Sequence, residues 1–378
     1  MILFWIENMN HRERFLRVFE FKEVDRVPDY EFGYWDETID RWHKEGLPQH
    51  LHTNQDVEKF FGLEGWDTIE FIPVRMGLWP PPPSKVIREY DDKEVVRDGL
   101  GGMYIRKKYT SSIPQYIKPP LKNRDDWERI RRFFDPETPG RIPLDWDEMK
   151  EIYRERDYPL GIFVGSLYGW LRNLMGVKGI SLAFYKDPDW VAEMMDTLVE
   201  LWIKLIGRVL RDVKVDFAAW WEDMCYNRGP LISVRLFEEF MVPRYKKVTQ
   251  VLKEYGVWIN ILDSDGKIDA LVPGWLEAGI NCMFPIEAKY TDPIELRRRY
   301  GRKVLLMGGV NKLALIEGPK AIDKELNRLA PLIEEGGYIP MVDHRVPPDV
   351  SLSNYIYYLK VKRKIIGRTD APPIILEK

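Results

Sequence analysis

Three side chains late in the chain are of types that move protons or hold metals: Asp263 and Asp265 in ILDSDG, and His344 in MVDHRVPP. His344 is the only histidine beyond residue 52. Carboxylate and imidazole are ligands for zinc or another divalent metal, and an open fourth position would make the metal a Lewis acid. Without a metal, an imidazole titrating near neutrality can act as a general acid. The plainer reading is that Asp263 and Asp265 cap the turn closed by Gly266, or hydrogen-bond a substrate. Glu222 and Asp223 follow Trp220 and Trp221 at the end of another apolar run. One acid of such a pair suits catalysis and the other capping.

These residues need a frame to bring them together. From Val213 onward, short apolar runs alternate with segments of helical spacing. Ser233 opens a helix in which Pro243 predicts a bend or a break, and Asp292-Pro293 reads as an N-cap followed by proline at the first helical position. Eight strands are expected near residues 28–34, 68–74, 160–166, 214–220, 257–263, 280–286, 303–308 and 337–343. Eight strand-helix units fit a closed (β/α)8 TIM barrel. An open doubly wound sheet is the alternative, but no GxGxxG follows any strand. Residues 78–157, with a proline tract and a Gly-Gly turn, read as an insertion between the second and third strands: a small hairpin over the mouth, with helical stretches at 124–138 and 145–157. The chain is thus expected to be one domain, 1–378, carrying that insertion.

In such a barrel the chemistry sits at the C-terminal ends of the strands. The residues expected there are Glu31, Tyr34, Arg75, Tyr168, Glu222, Asp263, Asp265, Glu287, Asn311 and His344, with Arg345 beside it. The roles assigned are catalysis for His344, Glu222 and Asp263, and metal ligation for Asp263, Asp265 and His344. Substrate binding falls to Glu31, Tyr34, Arg75, Tyr168, Glu287, Asn311 and Arg345.

Composition narrows the function class. The 57 basic and 60 acidic residues are interspersed, net charge −3, with no basic stripe of the kind that nucleic acid requires. Apolar runs are too short to cross a bilayer, and MILFWIENMNHRERF lacks the basic start of a signal peptide. A soluble cytoplasmic protein is expected. Two cysteines cannot build a disulfide framework; Cys282 reads as core, and Cys225 lies just beyond a strand end. KVKRK near residue 360 reads as the solvated face of a terminal helix.

The ordered stretches RVPDYEFGYWDETIDRW, YGWLRNLMG, FYKDPDWVAEMM, WEDMCYNRGPLISVRLFEEFMVPRY, DSDG, WLEAGINCMFPIE, LLMGGVNK and GGYIPMVDHRVPPDVSLSNYIYYL resemble the uroporphyrinogen decarboxylase superfamily, which includes corrinoid-dependent methyltransferases. Within it the chain most resembles a poorly characterised group. The resemblance implies a (β/α)8 barrel. The methyltransferases of that superfamily hold zinc with a His-x-Cys pair and a later cysteine; those places fall on Asp263, Asp265 and a position at or beside His344. The decarboxylases use an arginine-rich segment after the first strand, which here reads EFGYWDETIDRW, and a C-terminal histidine that matches His344. Methyl transfer between a small substrate and a corrinoid protein is the first expectation. Decarboxylation of uroporphyrinogen or a related acid is the alternative, supported by His344, Arg75, Arg172, Arg228 and Arg345. A non-catalytic binding protein is the third. The partners expected are a small-molecule substrate, a corrinoid-binding protein and a second copy in a homodimer.

Overall fold

The structure is a computed structural model that describes residues 9–66, 69–108 and 114–376. Its strands, in chain order, begin with β1 (Glu70–Phe71), β2 (Lys85–Glu89), β3 (Lys93–Arg97), β4 (Met103–Lys107), β5 (Gln115–Lys118) and β6 (Leu160–Gly165). There follow β7 (Phe217–Trp221), β8 (Cys225–Tyr226), β9 (Gly229–Pro230), β10 (Ile259–Asp263), β11 (Cys282–Phe284), β12 (Leu305–Val310) and β13 (Tyr338–Val342). Seven of them form one sheet in the order β1-β6-β7-β10-β11-β12-β13, and every neighbouring pair is parallel. The runs are apolar on both faces because helices pack outside the sheet and aromatic rings fill its inside. The sheet is curled. Trp66, just before β1, touches Phe217 of β7 at 5.8 Å and Phe284 of β11 at 5.5 Å, ring centre to ring centre.

The expected first strand is a correction. Among the described residues, 28–34 are extended but form no ladder, the sheet remains open between β1 and β13, and the sheet-like pairing of this segment is the bridge Tyr34 to Val346. Two features explain it. Pro28 has no amide proton to give. The Glu31 carboxylate accepts the Val342 amide at 3.0 Å, which a neighbouring strand's carbonyl would otherwise take. The second expected strand, 68–74, is reduced to β1, and residue 68 lies outside the described residues. The other six strands fall within three residues of their expected bounds.

The reading of KVKRK is also corrected. Lys362 is completely buried in the terminal helix Leu352–Ile365. Its ammonium lies 3.1 Å from Asp29 and 2.5 Å from Glu31, and Arg363 reaches Asp29 at 2.8 Å. The extended segment is therefore held by ion pairs to the last helix.

Helix signals perform as their chemistry predicts. Asp292 caps Pro293–Tyr300 by accepting the Ile294 amide at 2.9 Å, and Ser233 caps its helix by accepting the Leu236 amide at 3.3 Å. Pro243 sits in the first turn of Val242–Glu254, directly after a π-helical turn at Phe237–Met241, so the helix is divided there. The insertion holds a four-stranded antiparallel sheet, β2-β3-β4-β5, in place of the expected hairpin, and helices at Arg124–Ile130 and Trp146–Arg154. Among the described residues no helix is long and apolar enough to cross a membrane.

Candidate active site

The ends of β7, β10 and β11 are tied together by backbone. The amides of Glu222 and Asp223 both donate to the Asp263 carbonyl, at 2.9 and 3.2 Å, and the Ser264 amide donates to Phe284 at 2.9 Å. After Asp263 the chain turns sharply through Gly266. Its φ is +79°, and a Cβ there would lie 2.8 Å from Tyr226 backbone, so only glycine fits. The Glu287 carboxylate accepts the Gly266 amide at 2.8 Å and fixes the turn.

This turn presents Asp265 to His344, with Nε2 3.4 Å from Oδ2. The His344 ring lies between Trp35, stacked at 5.5 Å, and Phe32, edge-on at 5.5 Å. Asp223 joins from β7. Its φ of +40° is unusual for a residue with a side chain. Arg172, on the helix Tyr168–Lys186, holds it with one nitrogen 2.9 Å from its carboxylate and another on its carbonyl. Among the described residues neither Asp263 nor Asp265 accepts a capping hydrogen bond from its own turn, so the capping reading of DSDG is not realised.

Charge crowding sets the protonation of this group. Burial, followed by the charges of Asp265 and Asp223, pushes the Asp263 carboxyl well above the usual carboxylate range, and Arg345 acts against them. Burial also raises the Asp223 carboxyl, with Arg172 offsetting and Asp265 adding to the rise. A carboxyl so placed stays protonated at a pH where an exposed aspartate would not.

The expected site residues separate into two sets. Asp263, Asp265 and His344 come together, and Arg345 lies over the Phe32 ring at 5.3 Å. Glu287 adjoins them through Gly266 and is paired with Lys312 at 3.0 Å. The rest are engaged in the protein itself. Glu31 is buried against Tyr358 and Lys362. Tyr34 is buried, with its hydroxyl 2.8 Å from that of Tyr355. Glu222 is buried and accepts Ser166 Oγ and the amides of Leu167 and Tyr168 at 2.8–2.9 Å, capping the helix that follows β6. Burial pushes the Tyr168 hydroxyl up to about 12 and the Cys225 thiol up to about 12. Asn311 caps the helix Lys312–Glu317, and Arg75 is exposed, resting on Trp79 at 5.1 Å. Of the acid pair after β7, the residue beside Asp265 is Asp223, not Glu222. Both lie beyond the end of the strand, and the left-handed φ of +40° at Asp223 turns the chain there, while Glu222 is taken up by Ser166 and the amides that follow it. Phe32 and Trp35, which flank the His344 ring, and Trp221, whose ring lies 5.5 Å from the Arg172 guanidinium, are further residues that the strand-end rule missed.

The metal expectation does not fit this arrangement. Among the described residues no group of three His, Cys, Asp or Glu side chains is placed to hold a metal ion. Asp265 and His344 are paired to each other, and the surroundings of Asp263 favour its neutral form rather than the ionised form a ligand needs.

Below the cluster, Asp343 is fully buried and accepts the amides of Ala288 at 3.1 Å and Lys312 at 3.2 Å. Burial pushes its carboxyl up to about 6, and Lys312 acts against that rise. The folded chain therefore takes up this proton more readily than the unfolded chain. Its contribution to stability is complete below about pH 4 and is lost as pH rises through about 6. Asp343→Asn should remove that loss. Across pH 4 to 7 the variant should lose less stability than the parent, by about 3 kcal/mol at most. Thermal unfolding over that range checks it, and parallel curves for the two proteins would exclude the burial of a charge at Asp343.

Residues 100–364 match the family described as uroporphyrinogen decarboxylase (URO-D). A uroporphyrinogen decarboxylase of Serratia proteamaculans (strain 568) is 26% identical over 286 residues, covering 70% of this chain and 74% of that protein. Another, of Rickettsia bellii (strain RML369-C), is 18% identical over 258 residues, 65% of this chain and 71% of that protein. A solved methyltransferase from Methanosarcina mazei superposes with a TM-score of 0.57 over 94% of this chain and 99% of that one, at 16% identity, which bears on the fold alone.

Proposed function

This chain belongs to the uroporphyrinogen decarboxylase family, and from that premise we propose that it is a lyase removing CO2 from an organic carboxylic acid at the cluster of Asp223, Asp263, Asp265 and His344. The observation that carries the reading is a carboxyl, Asp263, set among two other carboxylates and beside Arg345 at the end of its strand. Loss of CO2 leaves an electron pair on carbon, and that carbon must receive a proton. A carboxyl kept neutral by burial and by neighbouring negative charge is a proton donor suited to the step. In this reading Arg345 orients the substrate carboxylate. The C–C bond to the carboxylate breaks, CO2 leaves, and the Asp263 proton passes to the carbon. Water then reprotonates Asp263. The Asp265–His344 pair, held by Trp35 and Phe32, supplies the route for that proton.

Methyl transfer to or from a corrinoid partner draws less support. It asks for a metal to activate the methyl acceptor, and among the described residues the donors at the mouth are not arranged as a ligand set. The two readings separate in one experiment. The protein is incubated in D2O with a panel of carboxylic acids, and separately with methylcobalamin and thiols. The expected result is CO2 release from at least one acid, with one deuteron in place of the carboxylate. Demethylation of methylcobalamin without any CO2 release would overturn the proposal.

A further inference from the structure

A cavity of about 1020 Å³ opens beside the acid cluster, between the insertion and the helix Tyr168–Lys186. That size is at the upper end of pockets that take drug-sized ligands, about 300–1,000 Å³. Its walls are apolar: Leu121, Met175, Val177, Leu182 and Trp190. Its charges are unbalanced. Lys122, Arg124, Arg172, Lys178 and Lys186 line it against two acids, Asp187 and Asp223. Both acids are already matched, Asp187 by Arg124 at 2.7 Å and Asp223 by Arg172 at 2.9 Å. Lys122, Lys178 and Lys186 are left with no ion-pair partner among the described residues. The helix is also broken in this wall. Gly176 has φ +73° and ψ 158°, so a second helical start at Val177 adds its positive end to that of the lysines.

The cavity meets the acid cluster at Asp223, which lines the cavity and also interacts with Asp265 and His344. We infer that the cavity is the seat for the body of the substrate, and that the substrate is an amphipathic organic anion. Its apolar part lies on the broken helix, a second anionic group meets the lysines at the rim, and its reacting end passes Asp223 to reach Asp263. This assignment rests on the reacting centre proposed above, but binding in the cavity is measurable without any turnover. A neutral or cationic apolar molecule would leave the three lysines unanswered. A small polar acid would leave the apolar wall wet.

The probe is decanoate, with decyltrimethylammonium as its cationic counterpart of equal chain length. Each is titrated against full-length protein preloaded with 8-anilinonaphthalene-1-sulfonate, whose fluorescence reports apolar anion sites. Decanoate should displace the dye at a concentration at least tenfold lower than decyltrimethylammonium. The double variant Lys178→Glu/Lys186→Glu should weaken decanoate tenfold or more, because both side chains are exposed and their reversal leaves the core intact. Val177→Glu, also at an exposed position in the apolar wall, should do the same by a different route. Equal displacement by the two surfactants, or unchanged decanoate binding in both variants, overturns the inference. Asp263→Asn distinguishes the two proposals. Decanoate binding that survives in this variant supports the cavity, whether or not any acid is decarboxylated. Absence of CO2 release alongside intact, lysine-dependent binding counts against the reaction and leaves the cavity standing.

Discussion

Asp263→Asn should lower kcat by about 10²–10⁴-fold, the range spanned by removal of a positioned proton donor. Asparagine keeps the shape of the carboxyl and can still face Arg345, so KM should change little. The split between kcat and KM is what a proton donor predicts and what a binding residue does not. The fold should survive, because the substitution removes a carboxyl from a crowded set. Asp263 is held well above the ordinary carboxylate range by burial and by Asp265 and Asp223. A group with a raised folded-state pKa favours the folded state at low pH and weighs against it once pH rises through that pKa. The variant should therefore be at least as stable as the parent at alkaline pH. Activity of the parent should fall as pH rises through the Asp263 pKa, since the donor form is then lost. Steady-state rates on the acid found by CO2 release, measured across pH for both proteins, decide the matter. An Asn variant with undiminished kcat would remove Asp263 from the chemistry.

Much of the frame was legible because it follows from local chemistry. Asp292-Pro293 and Ser233 announce helix starts through their own side chains, and the six later runs are strands because apolar residues dominate them; Asn260, inside β10, accepts the Trp220 indole N–H at 3.1 Å. Topology then carries Asp263, Asp265 and His344 to one place: parallel strands in sequential order put all their C-terminal ends on one side. Two of the errors share a cause, which is a partner far away in sequence. RVPDYEFGYW has the apolar content of a strand, but Asp29 and Glu31 within it are answered by Lys362 and Arg363 more than 300 residues later. The same distance hides the burial of KVKRK, since a lysine-rich run reads as solvated until its carboxylates are found. Glu222 fails for a shorter-range reason. It sits just beyond β7, where it caps the helix after β6, and the chain turns at Asp223, the next residue, through a φ of +40°. The amides that claim Glu222 belong to residues 167 and 168, more than 50 positions earlier, and nothing in the acid pair itself announces them.

Lys362→Met should destabilise the protein by about 3–5 kcal/mol, the usual consequence of removing one partner of a buried ion pair. The methionine fills the space of the lysine stem but, among the described residues, leaves Glu31 with no cation and Asp29 with two of its three. Burial alone would push the Asp29 carboxyl up; Lys362, Arg363 and Arg368 together more than offset it and hold the group below its ordinary value. Its contribution to stability is thus present above about pH 4 and is lost as pH falls through the depressed pKa. The destabilisation by Lys362→Met should accordingly be largest near neutral pH and shrink in acid. Adding Glu31→Gln should recover part of the loss, because a glutamine oxygen can still accept the Val342 amide or the Tyr358 hydroxyl without an unpaired charge. Urea unfolding of the single and double variants measures both terms, and a single variant that loses less than about 1 kcal/mol would show that the pair is not a buried clamp. The site is coupled to this clamp. The segment it holds also presents Phe32 and Trp35 to the two sides of the His344 ring. Loosening the segment removes the walls that orient the imidazole towards Asp265. Activity lost in Lys362→Met and regained in the double variant, at a pH and temperature where both remain folded, would assign the clamp a positioning role in the reaction.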